Sequence, residues 1–499
     1  MQALLIPALL LFQVAPVEDN LARGVALARE GRFAEAREAL EAGWKAAPGD
    51  KRFPTEMAGL AFRQKQFGAA KKYLRAALRL DPEDPYASEF LGTLFLLEGN
   101  QEAALKYWNR AGRPRVREIR MEPEPAVDPV LLDRAFAFSP AAVLKLEEYR
   151  LTRARLELLG IFPLWKIELL PGEGEDFEAV FRSTERRAWW LSLARGVAFQ
   201  TVYPEFYNLR GSGTNFVSLV RWDAQKRRVF AALSSPIAQD PGRRRTFFAD
   251  ARNENWNVPG LGGFNLQKVE GGAGLDWIVN SRWGWGISFG AATRRYRNST
   301  LPGGASLWSE ARVRYGLLRV PERRLTVESG ASWRVGRTFE RSLGLFSQGQ
   351  ASLEARWFPQ ARGEDFATTA RVRVGGTVGE VPFDSLYMLG LERDNDLWLR
   401  AHIGSRNGQK GSAPMGRSFV LTNWELDKLV CSVGMVSISV GPFVDSGRAY
   451  AAAPLGSGKW LWDAGTQAKV RVAGGFAVVF SYGKDLRTGG GAFYVTLAP

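Results

Sequence analysis

From about residue 194 to the C-terminus, apolar residues recur at every second position of the chain. In the segment 283–291, large apolar side chains alternate with glycine and serine. The same pattern, with Arg, Glu, Gln or Lys at many alternate positions, occurs in segments 307–317, 325–336, 350–357 and 467–472. Successive side chains of a strand point to opposite faces of a sheet. Each segment therefore predicts a β-strand with one apolar face and one polar face.

The extent of this pattern separates two all-β architectures. A soluble β-sandwich also alternates apolar and polar residues. Here, however, roughly 300 residues hold about 14 to 16 such segments of about 9 to 11 residues without a helical interruption, as in barrels that cross a membrane. A closed sheet leaves no strand edge unpaired in lipid. We therefore predict an all-β transmembrane barrel of about 16 antiparallel strands over residues 194–499.

The scarcity of two residue types argues against catalysis. The chain has a single Cys, Cys431, and a single His, His402. Zinc sites need several such ligands, and Ser-His-Asp chemistry needs an imidazole base within a larger constellation. We predict no catalytic, cofactor-binding or metal site, and we do not expect an enzyme. We expect Cys431 to be a packed strand residue.

The charge balance points to the barrel rather than to a polyanion partner. The 67 Lys and Arg exceed the 52 Asp and Glu, which gives a net charge of +15. Such an excess can attract nucleic acid, lipopolysaccharide or anionic lipid. The arginines are spread along the whole chain, and many share the polar face of predicted strands. We therefore favour arginines that line a lumen, and we predict no nucleic-acid partner.

The N-terminal part of the sequence predicts an export signal followed by a helical repeat. Residues 1–16 include an apolar core with the length of a signal peptide, followed by polar residues. Between residues 20 and 112 the sequence repeats at an offset of 34, as in the pair Pro48 and Pro82. Small residues keep this register at Ala36, Ala70 and Ala104. Three such units predict an all-α stack of tetratricopeptide repeats.

A proline-rich segment and a small α+β unit follow. Residues 113–127 contain three prolines and predict a linker. The apolar spacing of 140–159 predicts a helix that Gly160 ends, and two short apolar runs after it predict a hairpin. A helix that contains Arg155-Leu156, followed by Gly160-Ile161-Phe162 and two strands, resembles a POTRA domain, which we assign to 128–186.

Three motifs of the predicted barrel resemble the BamA/TamA-like superfamily of outer-membrane insertases and transporters, also described as bacterial surface antigen barrels. The first is the turn after the first strand, with Asn208, Leu209, Gly211 and Gly213. The second is the motif of an inward-folded loop, which comprises Leu389, Gly390, Leu399, Arg400, Ala401 and His402. The third is a pair of strand motifs, 423–426 and 441–448, which contain Glu425 and Asp445.

The resemblance implies a role for one arginine of the loop. Arg400 is expected to enter the lumen and bind the carboxylates of Glu425 and Asp445, because its planar fork suits bidentate contacts. The family motif has Gly and an aromatic residue after this arginine, where this chain has Ala401 and His402. A loop that needs a special backbone conformation at that glycine would be altered here. His402 is expected to fill the aromatic position.

The resemblance also implies location, partners and function. The protein would lie in the outer membrane, in contact with its lipid, with the N-terminal domains in the periplasm. It would assist insertion or translocation of periplasmic or membrane client proteins, with a seam between strands at about 194–203 and 492–498. The alternatives are a transporter or pore for a lipid, a glycan or a dedicated passenger, and a membrane-anchored scaffold. The client and the oligomeric state stay open.

Overall fold

The structure is a computed structural model that describes residues 15–172, 176–184, 193, 195–340, 343–434, 436–450, 458–472 and 476–498. It divides into two compact units. One takes in the described residues of Met1–Arg117, Pro140–Leu146 and Pro171–Phe177, and the other those of Glu118–Ser139, Glu147–Leu170 and Glu178–Pro499. The predicted signal peptide at 1–16 lies almost entirely outside the described residues.

Six helices form three consecutive pairs at the N-terminal end. They are α1 Ala15–Arg29, α2 Phe33–Ala46, α3 Arg52–Arg63, α4 Phe67–Leu80, α5 Pro85–Leu97 and α6 Gln101–Trp108. The second helices of the pairs begin 34 residues apart (67 − 33 and 101 − 67). The three register alanines, Ala36, Ala70 and Ala104, are fully buried. The predicted helical repeat is therefore confirmed.

Small residues allow the helices to approach closely, both within a pair and between consecutive pairs. A Cβ atom at Gly92 of α5 would lie 2.4 Å from the Trp108 Cδ1 atom of α6. A Cβ at Gly43 of α2 would lie 2.2 Å from the Phe53 ring of α3. Both distances are far below van der Waals contact, so only glycine leaves room for the aromatic rings that fill the stack.

A four-stranded sheet with two helices follows the repeats. Its elements are β1 Arg115–Glu122, α7 Pro129–Ala135, β2 Ala142–Val143, α8 Leu146–Leu159, β3 Leu164–Pro171 and β4 Phe177–Thr184. The strand order is β2-β1-β4-β3. The helix predicted over 140–159 begins only at Leu146, because β2 occupies residues before it. Gly160 has the expected left-handed conformation, with a φ of +61°.

The segment predicted as a linker is largely a strand. Of residues 113–127, β1 takes up Arg115–Glu122. Its prolines, Pro114 and Pro123, flank the strand, where a missing N–H does not interrupt the ladder. Only Val116 is buried in β1, since charged side chains occupy the solvent face. The many charged residues and the flanking prolines left no clear apolar period, so the sequence did not indicate this half-exposed strand.

The remaining described strands belong mainly to one closed barrel. Its first part comprises β5 Thr201–Val202, β6 Glu205–Leu209, β7 Thr214–Trp222, β8 Lys226–Ile237, β9 Asp240–Val258, β10 Gly262–Ile278, β11 Trp283–Arg297, β12 Gly304–Val320, β13 Leu325–Glu340, β14 Leu343–Trp357 and β15 Phe366–Gly379. Four two-residue strands follow, β16 Tyr387–Met388, β17 Ser405–Arg406, β18 Gln409–Lys410 and β19 Met415–Gly416. The second part comprises β20 Ser418–Val433, β21 Val436–Tyr450, β22 Leu461–Val472, β23 Phe476–Asp485 and β24 Gly491–Ala498.

The long strands pair antiparallel with their neighbours, so the predicted barrel fold is confirmed. The alternation sorts side chains onto two walls. Phe289 and Trp333 on the outside are 59% and 60% exposed, whereas Ser288 and Arg294 on the inside are buried. Much of the first strand expected at 194–203 precedes β5, and the residues 185–192 and 194 lie outside the described part of the chain.

Two further observations concern membrane spans and Cys431. Across the described residues, no helix is both long enough and apolar enough to cross a membrane. Cys431, which we expected to be packed, is exposed near the end of β20. Its position on an outer wall rather than in a core explains the difference, because a barrel strand has no second packed layer outside it.

Candidate functional site

The segment between β15 and β20 forms a loop inside the barrel, which we call the inner loop (residues 380–417). Its side chains contact inward-facing residues of β9–β11 through Asp384 and of β21–β22 through Arg400. These strands lie far apart in the circular order of the barrel. The loop therefore crosses the lumen rather than resting on one wall. Its leucines Leu389 and Leu399 are fully buried.

Arg400 is held by a dense set of polar contacts on one wall. Its Nε and Nη2 atoms donate to the two carboxylate oxygens of Asp445 at 2.8 and 2.7 Å. Its Nη1 atom donates to Gln467 at 2.7 Å and lies 3.8 Å from the Glu425 carboxylate. The guanidinium also lies 3.8 Å from the centroid of the Phe443 ring. Since Arg400 is 1% exposed, these contacts replace all of its hydration.

The backbone next to Arg400 is bound as well. The Arg400 N–H donates to Asp445 at 3.0 Å, and the Ala401 N–H donates to Asp463 at 2.7 Å. Ala401 is absent from the described residues with positive φ, so alanine fits this loop without strain. A Cβ atom at Gly483 of β23 would lie 2.6 Å from the Arg400 carbonyl oxygen. Glycine on the barrel wall thus admits the loop.

His402 lies between two carboxylates of the same wall. Its Nδ1 atom is 3.2 Å from Asp463, and its Nε2 atom is 3.8 Å from Asp485. Burial disfavours the charged imidazole, but the hydrogen bond to Asp463 and the charges of both aspartates outweigh it and raise the pKa of His402 above its usual 6.5. The residue in the aromatic position is therefore a cation-forming contact between the loop and the wall.

A second attachment involves Asp384, at the start of the inner loop. Its carboxylate lies 2.6 Å from Arg294, 3.0 Å from Lys268 and 3.2 Å from Arg252, on three adjacent strands. Burial acts to raise the pKa of Asp384, but these three cations hold it well below its usual range. Asp384 is therefore a buried, ionised carboxylate that binds the loop to β9–β11.

A third attachment involves the middle of the inner loop. Asp394 lies 2.7 Å from Arg221, 2.6 Å from Lys226 and 3.1 Å from Arg228, which belong to β7 and β8. Glu392 accepts from both Nη atoms of Arg221 at 3.1 Å. Burial again opposes ionisation, and the surrounding cations keep the pKa of Asp394 below its usual range.

The structure thus places the predicted residues and adds others. Arg400, Glu425 and Asp445 meet at one site. His402 contacts the same wall of the barrel. Leu389 and Gly390 lie within the folded loop, where the Gly390 N–H donates to the Leu397 carbonyl at 2.9 Å. Sequence reasoning assigned no role to the carboxylates of the other two attachments. The signal was present only as acidic residues inside the loop motif region, namely Asp384, Glu392 and Asp394.

The predicted turn motif lies elsewhere, against the α+β unit. The Asn208 side chain donates to the Ala126 carbonyl at 2.8 Å, and the Gly211 carbonyl accepts from the Asp128 N–H at 2.8 Å. Gly213 has a φ of +69°, and a Cβ there would meet Leu131 of α7 at 2.7 Å. Leu209, by contrast, is exposed. The motif forms the contact between this barrel turn and α7 rather than part of the inner loop.

Comparisons with known proteins agree with this architecture. A family model described as Tetratricopeptide repeat matches residues 27–94. CdiB from Escherichia coli superposes with a TM-score of 0.53, at 13% sequence identity over 77% of this chain and 76% of that one. This chain shares the fold of that CdiB.

Two other solved structures are similar as well. BamA from Haemophilus ducreyi lacking POTRA domains 1–3 gives a TM-score of 0.46, at 14% identity over 78% of this chain and 85% of that chain. CdiB from Acinetobacter baumannii gives 0.47, at 10% identity over 85% and 81%. No curated protein matches this chain.

In the described part of the chain, no group of three His, Cys, Asp or Glu residues is arranged to hold a metal ion.

Proposed function

We propose that this protein is a bacterial outer-membrane barrel that assists the insertion or translocation of other proteins and is not an enzyme. The observation that carries the proposal is the inner loop, which crosses the lumen and is fixed to several strands by buried ion pairs. A simple pore has no need for so extensive a plug. The shared fold with CdiB from Escherichia coli supports the same class.

The N-terminal domains would receive clients in the periplasm. We assign residues 20–112 to the repeats and residues 128–186, preceded by β1, to a POTRA-like domain. Among the described strands, in the order β2-β1-β4-β3, β3 pairs on one side only, and a client strand can add to such an edge through main-chain hydrogen bonds. The helical repeats would bind client segments in their groove, in the manner of other helical stacks.

Arg400 would keep the inner loop in place while clients are received and inserted. Its contacts with Asp445 are the most extensive of the loop, and removing one partner of a buried ion pair leaves an uncompensated charge that costs about 3–5 kcal/mol. Loss of Arg400 would therefore loosen the plug on the β20–β23 side without altering the outer wall.

Conductance and insertion assays test this proposal together. In planar bilayers we expect a mostly closed wild-type channel and a modestly higher open fraction in Arg400→Ala, because the other attachments still hold the loop. In liposomes, wild type would speed the insertion of a denatured barrel client, and Arg400→Ala would slow it several-fold. Arg371→Ala is the matched control, because Arg371 binds a neighbouring-strand carboxylate, Glu354, and does not touch the loop.

Other outcomes would favour the alternative functions. A steady, large wild-type conductance with no effect on client insertion would contradict the proposal and indicate a pore for a lipid, a glycan or a dedicated passenger. The inward-facing arginines Arg312 and Arg314 would suit an anionic passenger. If deletion of residues 20–185 abolished function while substitutions at Arg400 had no effect on it, a membrane-anchored scaffold would be indicated.

A further inference from the structure

A cavity of about 420 Å³ lies on the inner wall of the barrel, away from the attachments of the inner loop. Residues of strands β10–β14 line it, together with Leu158 of α8. A volume of this size is in the range that holds a small organic molecule. None of the residues that attach the inner loop lines it. The cavity therefore has no role in the proposed plug.

Two arginines extend over a floor without side chains. In the strand register, Arg312 of β12 pairs with Gly286, and Arg314 pairs with Gly284. A Cβ added at Gly286 would lie 3.3 Å from the Arg312 Nη2 atom, and one at Gly284 would lie 4.0 Å from the Arg314 Nη2 atom. Both guanidinium groups thus reach across glycines. Their Cα atoms, two residues apart on one strand, are separated by roughly 7 Å.

The two arginines differ in their partners. Arg312 is bound to Asp276 at 3.0 Å and lies 3.8 Å from Glu310. Within the described chain, Arg314 contacts no carboxylate, hydrogen-bond acceptor or aromatic ring, although it lines the cavity. An arginine has five donors and no acceptor. Arg314 is exposed, so its donors are open to solvent and to a ligand in the cavity.

The other side chains around Arg314 are also able to donate. Gly330, which pairs with Arg314, pairs on its other side with Ser352, and Ser332 pairs with Gln350. Ser332, Gln350 and Ser352 line the cavity. The Ser352 hydroxyl donates a long hydrogen bond of 3.5 Å to the Gly330 carbonyl, which a ligand oxyanion can replace. Hydroxyl and amide donors next to an uncompensated guanidinium are what a carboxylate or phosphate group requires.

We propose that this cavity binds a small molecule with an oxyanion, either a carboxylate or a phosphate, on a compact apolar body. The oxyanion lies between Arg314 and the hydroxyl groups of Ser332 and Ser352. The apolar body lies against Leu158 and Ile278, which also line the cavity. Binding at this site requires the barrel and α8 but not any particular client.

Calorimetric titration of the full-length protein in neutral detergent at low salt tests this proposal. The probes are benzoate, phenyl phosphate and phenyltrimethylammonium, which share the ring and differ in charge. We expect the two anions to bind and the cation not to bind. Benzoate and phenyl phosphate separately report on carboxylate and phosphate as the preferred oxyanion.

Four variants locate the site. Arg314→Gln should weaken anion binding at least tenfold, and Arg314→Lys should weaken it less. Ser332→Leu should abolish binding by filling the cavity with both arginines intact. The control is Arg295→Gln, because Arg295 of β11 has the same charge and does not line the cavity. Its affinity should stay within twofold of wild type.

Three results would overturn the proposal. They are equal binding of the cation, unchanged affinity in Arg314→Gln, and an equal loss in Arg295→Gln, which would indicate attraction by net charge alone. The heat-dependent mobility of the folded barrel in gels verifies that each variant is folded. Because this readout is ligand binding, its failure is distinct from a failure of client insertion.

Discussion

At the scale of the residue, His402 makes the inner loop sensitive to pH. Its pKa is raised by Asp463 and Asp485 despite burial. A raised pKa in the folded state means that the stabilisation is fully present below the unfolded pKa of about 6.5 and is lost as pH rises through the folded pKa. We therefore expect channel openings to become more frequent as pH is raised from 5 to 9.

The variant His402→Gln tests this dependence. Glutamine cannot gain a charge, so its channel openings should not vary with pH over this range. The Arg371→Ala channel is the control and should keep the wild-type pH dependence. A wild-type conductance that is flat with pH, or a His402→Gln profile like that of wild type, would contradict the prediction.

Gly483 provides a second prediction at this scale. A Cβ there would lie 2.6 Å from the Arg400 carbonyl oxygen, which belongs to the loop backbone. Gly483→Ala should therefore displace the loop from β23 and increase trypsin cleavage after Arg393. Gly349→Ala is the control, because a Cβ at Gly349 meets nothing within 4 Å. Equal protease resistance of both variants would mean that the loop does not approach the wall this closely.

At the scale of the element, the close packing of α5 on α6 makes the third repeat vulnerable. Gly92→Val would force the Trp108 ring out of its position, and such overpacking costs about 1–3 kcal/mol. Hydrogen exchange of the full chain should show faster exchange of α5 and α6 amides than in wild type.

The control for this helix pair is Gly59→Val in α3, where an added Cβ meets nothing within 4 Å. Both variants place the same β-branched side chain in a helix, so the comparison isolates packing from helix propensity. If the two variants accelerated exchange equally, the effect of Gly92→Val would not come from the close contact with the Trp108 indole ring.

At the scale of the whole molecule, the inner loop is a strut between separated parts of the barrel wall. Asp384 binds β9–β11, and Arg400 binds β21 and β22. Since either end can retain the loop, we expect Asp384→Asn or Arg400→Gln alone to raise the open fraction modestly. The double variant should raise it by more than the product of the two effects, because neither end then holds the loop.

The same measurement can contradict the strut. If each single variant opened the channel fully, both attachments would be required to keep it closed, and neither end could retain the loop alone. If their effects simply multiplied, the two ends would act independently. Arg371→Ala combined with Arg400→Gln serves as the control pair, because Arg371 does not touch the loop. That pair should behave as Arg400→Gln alone.

The sequence determined the features that depend on local periodicity. The offset of 34 predicted the helical repeat, and the period of two predicted the barrel, because each pattern reflects which face of an element is buried. The motif resemblance led to Arg400 and Asp445. The charged, proline-flanked strand β1 was not predicted, because a half-exposed strand beside prolines has only a weak apolar periodicity.

Only the tertiary structure decided which charges meet. Asp384 and Asp394 lie more than a hundred residues from most of their cationic partners along the chain, so no local spacing could pair them. Likewise, only the strand register places Arg314 beside Gly284 and Gly330, without a carboxylate in the described residues. Periodicity reports which face a side chain occupies. Its neighbour across the lumen depends on barrel closure and on the path of the inner loop, which are long-range properties.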